Sequence, residues 1–334
     1  MLWWVMVSKQ EPLESTVPRI SVVVCTSGIR ATIGHALEAL LGQTLPAQDY
    51  EVVLVVNTAE LSDYAQAKAR LSTGLRKEHV QVRFAHEPCL GLSVARNTGI
   101  RVAEGRYVAF IDDDGLADPR WLEQIVTRFE ADERVASVGG NIFPLFEVEP
   151  PSWVTPHLYP YFSCKTFSKD EEYLGPGLYF FGTNMAFRKD VLVASGGFDA
   201  CLGRKGNNLL SNEEWTVFHY IDQQGLLKLS SPQVNVRHMI PPSRLMRWFF
   251  VRRLWWQGVS DTVFHLCVSG RGKGWVLRKA WNDFIGYYGN LSQKIRSGAS
   301  TPHMAFFNFF RWGGILYALC ATGKVSPCET NIKD

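Results

Sequence analysis

Three consecutive carboxylates, Asp112, Asp113 and Asp114, follow directly on the apolar run Tyr107 to Ile111. Carboxylates crowded at the tip of a buried strand repel one another, and a hard cation or a set of basic groups is what offsets that repulsion. In extended chain Asp112 and Asp114 project to one side and Asp113 to the other. The outer pair is therefore spaced to bridge one metal ion and a diphosphate, where Mg2+ or Mn2+ would neutralise charge on a departing group. The competing explanation is a solvated turn whose acids merely cap the helix announced by Asp118-Pro119. Spacing alone leaves the two in balance.

The acids need a scaffold, and from Arg19 onward short apolar runs alternate with helical stretches, the pattern of βαβ units and a largely parallel sheet. Strands are expected at Ile20 to Cys25, Glu51 to Val56, Val80 to Ala85 and Tyr107 to Ile111, and helices at Ala31 to Leu41, Leu61 to Leu71 and Leu92 to Ala103. The fourth strand runs straight into the acidic cluster, and in open parallel sheets ligands sit at the carboxyl ends of strands. A helix from Pro119 to Glu130 and a strand from Val135 to Ile142 precede the Pro- and aromatic-rich segment Pro144 to Phe162, which reads as a binding loop. Leu178 to Arg188 then reads as a strand, Gly203 to Asn208 as a polar loop able to order over a ligand, Asn212 to Gln223 as a helix, and Val234 to Val236 as a last strand.

Composition places the chain among ordinary globular proteins: of 334 residues, 46% are hydrophobic and 20% charged, which argues against both disorder and a polytopic membrane protein. Net charge is only +3, yet ten Arg and Lys residues between Arg244 and Arg296 face only two acids, Asp261 and Asp283. That asymmetry implies an anionic partner for the last third, and with no nucleic-acid-binding module beside it an anionic membrane surface is favoured over nucleic acid. Seven scattered cysteines without CxxC spacing suggest neither a zinc site nor a disulfide framework, so a reducing compartment fits. The N-terminal MLWWVMVSKQ is too short for a signal core and lacks a basic flank, which implies cytoplasmic synthesis without export.

The run GLSVARNTGIRVAEGRYVAFIDDDG, from Gly91, resembles the core signature of family 2 glycosyltransferases of the GT-A fold. The likeness continues in order through FGTNMAFRKDVL, GGFD, LSNEEW and VRHMIPPSRL, so that it covers roughly Arg19 to Gly258, and several ordered motifs are far more specific than any one. It implies a GT-A (Rossmann-like) α/β domain over 19–240, with a nucleotide-binding half at 19–118 and an acceptor half at 119–240, followed by a basic, aromatic helical region at 241–325. It also implies an inverting transfer from a nucleoside-diphosphate sugar to a hydroxyl acceptor, whether glycan, lipid or lipid-linked saccharide.

Residue by residue, the resemblance puts Thr26 and Ser27 at the nucleotide, with a helix cap as the alternative for Ser27. The family's base-binding acid is replaced by Asn57, whose amide still offers a donor and an acceptor to a pyrimidine edge; uridine is the default donor base. Arg96 stands beside the acids, with Asp112 and Asp113 at the donor diphosphate and Asp112, Asp114 and His238 as metal ligands. An imidazole suits Mn2+ better than Mg2+. Glu214 takes the place of the catalytic base, with Glu213 in support, although the family has Asp where this chain has Glu214 and the longer side chain could exchange the roles. Two acids in the first turn of a helix are otherwise ordinary dipole complements. Trp153, Asn184 and Met185 fall where substrate would be touched, with packing as the alternative for each.

The segment Leu245 to Val259 interleaves arginines with Trp248, Phe249, Phe250, Trp255 and Trp256, a composition suited to an interfacial helix on the cytoplasmic face of a membrane or to packing on the catalytic domain. Met304 to Ala321 is apolar, but Asn308, Arg311, Gly313 and Gly314 interrupt it, which favours a surface-lying or re-entrant helix over a span. Two other enzyme classes fit poorly: a nucleotidyltransferase calls for a Gly- and basic-rich loop after the first strand, and a dehydrogenase for GxGxxG there. The rival from a different class is an inactive nucleotide-sugar-binding or membrane scaffold protein of the same fold. Asn57 is the hint for it, and the retained acids argue against it.

Overall fold

Four runs of β-branched and apolar residues, β1 (Ile20–Thr26), β2 (Tyr50–Asn57), β3 (Gln81–Glu87) and β4 (Tyr107–Asp112), pair in parallel in the order β3-β2-β1-β4. They are seen in a computed structural model that describes residues 17–28, 32–72, 80–167, 169–298 and 300–321. The N-terminal segment expected to lack an export signal, the residues 29–31 after β1 and the last residues of the 241–325 region lie outside the described residues. Every residue of β2 is buried, whereas the edge strand β3 is mostly half-exposed; strands covered on both faces carry continuous apolar runs, and an edge strand need not.

Alternate residues of these strands enter two different cores. Val22, Val24, Val52 and Leu54 pack with Leu37 and Leu40 of α1 (Thr32–Leu41), while Val23, Val53 and Val55 pack with Ala95 and Ile100. The second set belongs to the face covered by α3 (Leu92–Val102), which follows α2 (Leu61–Ser72) in the chain. In α1, Ile33, Ala36, Leu37, Leu40 and Leu41 are buried, the i, i+3, i+4 stripe of a helix laid on a sheet. Each fully buried side chain of this kind contributes about 1.5–3 kcal/mol of transfer free energy. α3 lies close because Gly99 has no side chain; a Cβ there would collide with Val23.

The second half extends the sheet with β5 (Gly115–Ala117), β6 (Val135–Phe146), β7 (Glu172–Tyr173), β8 (Met185–Arg188) and β9 (Leu227–Ile240), giving the order β3-β2-β1-β4-β8-β6-β9-β5 with β7 on β9. β8 is antiparallel to both β4 and β6, and β5 is antiparallel to β9. The pairing of β5 with β9 sets Gly115 opposite His238, which brings the acidic turn and the histidine together. α4 (Trp121–Ala131), α5 (Lys189–Ala194) and α6 (Glu214–Gln223) cover this half, and α7 (Arg247–Val263), α8 (Lys273–Tyr288), α9 (Leu291–Arg296) and α10 (Pro302–Ala321) close the chain.

Several expected boundaries move for physical reasons. The strand expected at Leu178 to Arg188 begins only at Met185, since Leu178 to Asn184 follows the Gly175-Pro176-Gly177 turn and stays irregular. Conversely β9 spans far more than Val234 to Val236: Pro232 sits at a register shift in the β6–β9 ladder, the kind of bulge at which a sheet tolerates proline. The segment Pro144 to Phe162 is packed rather than open, and of it Pro160 and Tyr161 line the cavity described below. Its 3-10 turn Pro156–Phe162 buries Leu158 and Phe162 in a core shared with Phe250, Leu254 and Phe307.

α7 and α10 pack backbone to backbone. A Cβ at Gly258 would overlap the Arg311 carbonyl oxygen, and one at Gly314 would overlap that of Trp255. The glycines that interrupt the apolar run of α10 are therefore what lets the two helices touch. Residues Pro302–Ala321 are long and apolar enough to cross a membrane by length and composition, with 28% of the most apolar window buried.

Candidate active site

β4 delivers Asp112 at its last position, and Asp113 and Asp114 occupy the tight turn into β5. The three side chains diverge. Asp112 keeps 31% of its side chain exposed; its Oδ1 lies 3.2 Å from Nη2 of Arg96 and its Oδ2 accepts from Thr183 Oγ1 at 2.6 Å. Asp113 faces away, 2.7 Å from the Thr26 hydroxyl, and so ties the end of β4 to the end of β1. Asp114 accepts from Arg244 Nη2 at 3.0 Å and lies 2.9 Å from Nε2 of His238. Opposing charge from His238 and Arg244 holds the Asp114 carboxyl far below the usual carboxylate range even though burial works the other way.

One potential ligand atom each from Asp112, Asp114 and His238 falls within 4.8 Å of the other two. His238 Nδ1 lies 2.7 Å from the Phe162 carbonyl oxygen, which requires an N–H at Nδ1, and Nε2, whose proton faces Asp114, is the nitrogen that a metal ion would take in that proton's place. A backbone carbonyl fixing the far nitrogen of an imidazole is the usual outer support of a metal-binding histidine. The donor set, two carboxylates and one imidazole, fits a divalent ion and suits Mn2+ better than Mg2+.

On the opposite wall, Glu213 and Glu214 enter at the start of α6. Nη1 of Arg96 lies 2.6 Å from Glu213 Oε1, so one buried guanidinium ties Glu213 to Asp112. Its closeness to the chain explains Gly182: a Cβ there would strike the guanidinium. The Oε2 atoms of both glutamates are buried without a hydrogen-bond partner. Burial, with the charge of Glu213 adding to it, pushes the Glu214 carboxyl up to about 8. Two adjacent carboxyl groups with different surroundings thus divide: Glu213 is held by Arg96, while Glu214 keeps its proton up to and beyond neutral pH.

The loop ahead of the pair is strained. Asn212 has φ of 72°, and Ser163 has φ of 59°; among the described residues these are the two non-glycine positions with left-handed backbone, and both line the cavity. Asn212 donates through Nδ2 to Asp261 Oδ1 at 2.9 Å and accepts from Gln257 Nε2 at 2.9 Å, while Arg311 clasps the other oxygen of Asp261. α7 and α10 therefore hold the loop that carries the acids. The cavity, about 770 Å³, is lined by residues from both halves and by Arg253, Gln257, Asp261 and Arg311 of the terminal helices.

Of the residues expected from sequence, Thr26, Ser27, Asn57, Arg96, Asp112, Asp113, Asp114, Glu213 and Glu214 line this cavity, and His238 contacts it through Asp114. Asn57 is occupied: its Nδ2 donates to the carbonyls of Glu87 and Cys89, each at 2.8 Å, and its Oδ1 accepts from Gly91 N–H at 2.8 Å. Its side chain shapes the loop entering α3. Three expectations are corrected. Asn184 and Met185 do not touch the cavity, being fully buried; Asn184 bonds the Asn141 and Val234 carbonyls and the Trp121 indole, and Met185 lies in the sheet core. Trp153 packs on Phe250 and Phe307 under the Arg247 guanidinium, away from the cavity. Sequence reasoning missed Thr183 and the site role of Arg244, though FGTN and PPSRL carry them within motifs already recognised.

The order β3-β2-β1-β4, with an acid cluster at a strand end, is that of a nucleotide-binding α/β domain of the GT-A type. The model of the family "Glycosyl transferase family 2" matches residues 21–195, more than half of the chain, and the chain belongs to that family. It is 28% identical over 255 residues to a glucosyl-dolichyl phosphate glucuronosyltransferase of Haloferax volcanii, covering 74% of this chain and 78% of that one. It is 31% identical to the glycosyltransferase AglE of the same organism, over 39% of this chain and 41% of that protein. Among solved structures, the mannosyltransferase PcManGT of Pyrobaculum calidifontis, in complex with GDP-Man and Mn2+, superposes with a TM-score of 0.59 at 17% identity, covering 93% of this chain and 91% of that one.

Proposed function

We propose that this glycosyltransferase moves a sugar from a nucleoside-diphosphate sugar to a hydroxyl of a lipid-linked or glycan acceptor in one in-line displacement with inversion. The observation that carries the proposal is the frame built by Arg96, which joins Asp112 at one wall of the cavity to Glu213, the neighbour of Glu214, at the other. Glu214 takes the acceptor proton as the hydroxyl attacks the anomeric carbon, and its raised proton affinity matches that task. Glu213, fixed by Arg96, sets the position of the helix start that presents Glu214. Asp112, Asp114 and His238 hold the divalent ion, which supplies charge neutralisation at the leaving diphosphate. Arg244, already at Asp114, adds a fixed positive charge on the same side.

The cavity volume falls within the range of small-molecule sites. Solved relatives were captured with GDP-Man and Mn2+ and with UDP, GalNAc and Mn2+, which supports a nucleotide-sugar donor and Mn2+; a uridine nucleotide remains the default choice of base. The relative that acts on glucosyl-dolichyl phosphate supports a lipid-linked acceptor. So do the exposed Trp248, Trp275, Trp281, Phe306 and Phe309 of the terminal helices, an apolar and basic face suited to lie on the cytoplasmic side of an anionic membrane. An inactive scaffold has no use for a buried glutamate whose Oε2 lacks a hydrogen-bond partner beside a second acid.

A panel of UDP- and GDP-sugars, screened for thermal stabilisation with and without Mn2+, tests the donor assignment. A nucleotide sugar that raises Tm only with the metal is the expected result. Stabilisation by none of them would overturn it.

A further inference from the structure

Among the described residues, Arg253 is a buried charge with no carboxylate at ion-pair distance. Its residue is 8% exposed, it lines the cavity, and among the described residues its guanidinium makes one hydrogen bond, a 3.4 Å contact from Nη1 to the Ser211 hydroxyl. Its Nε is buried without a partner. Three other sets of buried charges in the cavity are matched: Arg96 by Asp112 and Glu213, Asp114 by Arg244 and His238, and Asp261 by Arg311. A guanidinium stays protonated in proteins, and leaving one desolvated and unpaired is among the costliest arrangements a fold can keep. Burial, reinforced by the charge of Arg204, pulls Arg253 down to about 10.

Position tells which anion is meant. Arg244 donates to Asp114 at 3.0 Å, at the end assigned to the donor diphosphate, and Arg204 bears electrostatically on both Asp114 and Arg253. Arg253 instead bears on Glu214, and its one hydrogen bond goes to Ser211, in the loop that leads into the acid pair. An anion held there lies next to Ser211, in the loop that carries Glu213 and Glu214. Tyr161 and Tyr179 flank the same region and feel the Arg253 charge.

We propose that Arg253 is the centre of a second anion subsite, distinct from the diphosphate end, which receives an oxyanion carried by one of the reacting partners. Two sources share this chemistry: the carboxylate of a uronic acid on the donor and the phosphodiester of a phospholipid-linked sugar on the acceptor. A planar guanidinium with free N–H groups accepts either in a forked pair of hydrogen bonds. The assignment rests on the glycosyltransferase reading above and makes it more specific, from sugar transfer in general to transfer in which one partner is acidic at the reaction centre.

The test uses the full chain with Mn2+ and measures binding by calorimetry. The donor arm compares UDP-glucuronic acid with UDP-glucose and GDP-mannuronic acid with GDP-mannose. The acceptor arm compares glucosyl-dolichyl phosphate with a neutral alkyl glucoside. A charge-assisted pair predicts that the acidic member of one arm binds roughly 10- to 150-fold more tightly. Arg253→Gln, with Tm checked against wild type, abolishes that preference while UDP or GDP itself still binds, and Arg253→Lys keeps part of it. The arm that shows the preference identifies the source. Equal binding of acidic and neutral members by wild type in both arms overturns the proposal without any variant, as does a preference that Arg253→Gln retains. Failure of both UDP and GDP to bind with Mn2+ would overturn the donor reading and the subsite together.

Discussion

Nη1 of Arg96 lies 2.6 Å from Oε1 of Glu213, a residue 117 positions away, and the same guanidinium reaches Asp112. This buried bridge joins the two chemical walls of the cavity, so its removal leaves an uncompensated charge on each. Arg96→Met is expected to destabilise the protein by about 3–5 kcal/mol, and adding Glu213→Gln to recover part of that loss, because a buried pair is worse half-removed than wholly removed. Chemical denaturation of the single and double variants measures it. Simple additivity of the two substitutions would show that the bridge carries no coupling.

The proton on Glu214 makes both activity and stability depend on pH. The folded state holds this proton more tightly than the unfolded chain, so the stability associated with it is complete below the ordinary carboxylate value of 4.5 and is lost as pH rises through about 8. Glu214→Gln, which cannot ionise, should therefore gain stability relative to wild type between those limits. The base form needs the proton off, so wild-type turnover should rise with pH toward 8, and Glu214→Gln should lose about 100- to 10,000-fold in kcat. Paired denaturation curves and pH–rate profiles read both effects, and a flat stability difference across this window would contradict the burial.

Asn212 holds a left-handed backbone just before the acid pair. Asn212→Ala removes its bond to Asp261 and keeps a Cβ in that conformation, whereas Asn212→Gly removes the bond but relieves the backbone. The alanine variant should be less stable than the glycine variant by about 1–2 kcal/mol. Thermal or urea unfolding separates them, and equal stability would mean that the loop relaxes freely.

Close contact between α7 and α10 depends on Gly258 and Gly314. Gly314→Val should cost at least about 1–3 kcal/mol from overpacking. Because α7 and α10 grip Asn212 through Asp261 and Arg311, it should also lower activity. A variant with wild-type turnover and reduced Tm would show that the helices stabilise the fold without shaping the site.

Much of this arrangement was legible in the sequence where one local pattern determines the outcome. Ile20–Thr26 and Tyr50–Asn57 are read as strands because parallel strands covered on both faces must be continuously apolar. The acids were legible because they terminate such a strand. What escaped depends on pairs distant in sequence. Arg253 and Arg311 read as part of a basic helical region, and nothing local marks them as walls of the cavity. Asn184 looks like a ligand-binding amide until Trp121, Asn141 and Val234 surround it, and Trp153 looks like a stacking platform until Phe250 and Phe307 cover it. β9 extends well before Val234 because a bulge opposite Gly140 and Ile142 accommodates Pro232, and such a bulge depends on the distant partner strand β6.

The central claim is that a divalent ion held at Asp112, Asp114 and His238 is required for sugar transfer. Product formation from the nucleotide sugar selected by thermal stabilisation, followed in metal-free buffer, after Mn2+ is restored, and in Asp114→Ala, tests it most directly. Wild type should be silent without metal and recover with Mn2+, while folded Asp114→Ala should stay more than about 100-fold slower in Mn2+. Full transfer by wild type in metal-free buffer, or by Asp114→Ala with Mn2+, would contradict it.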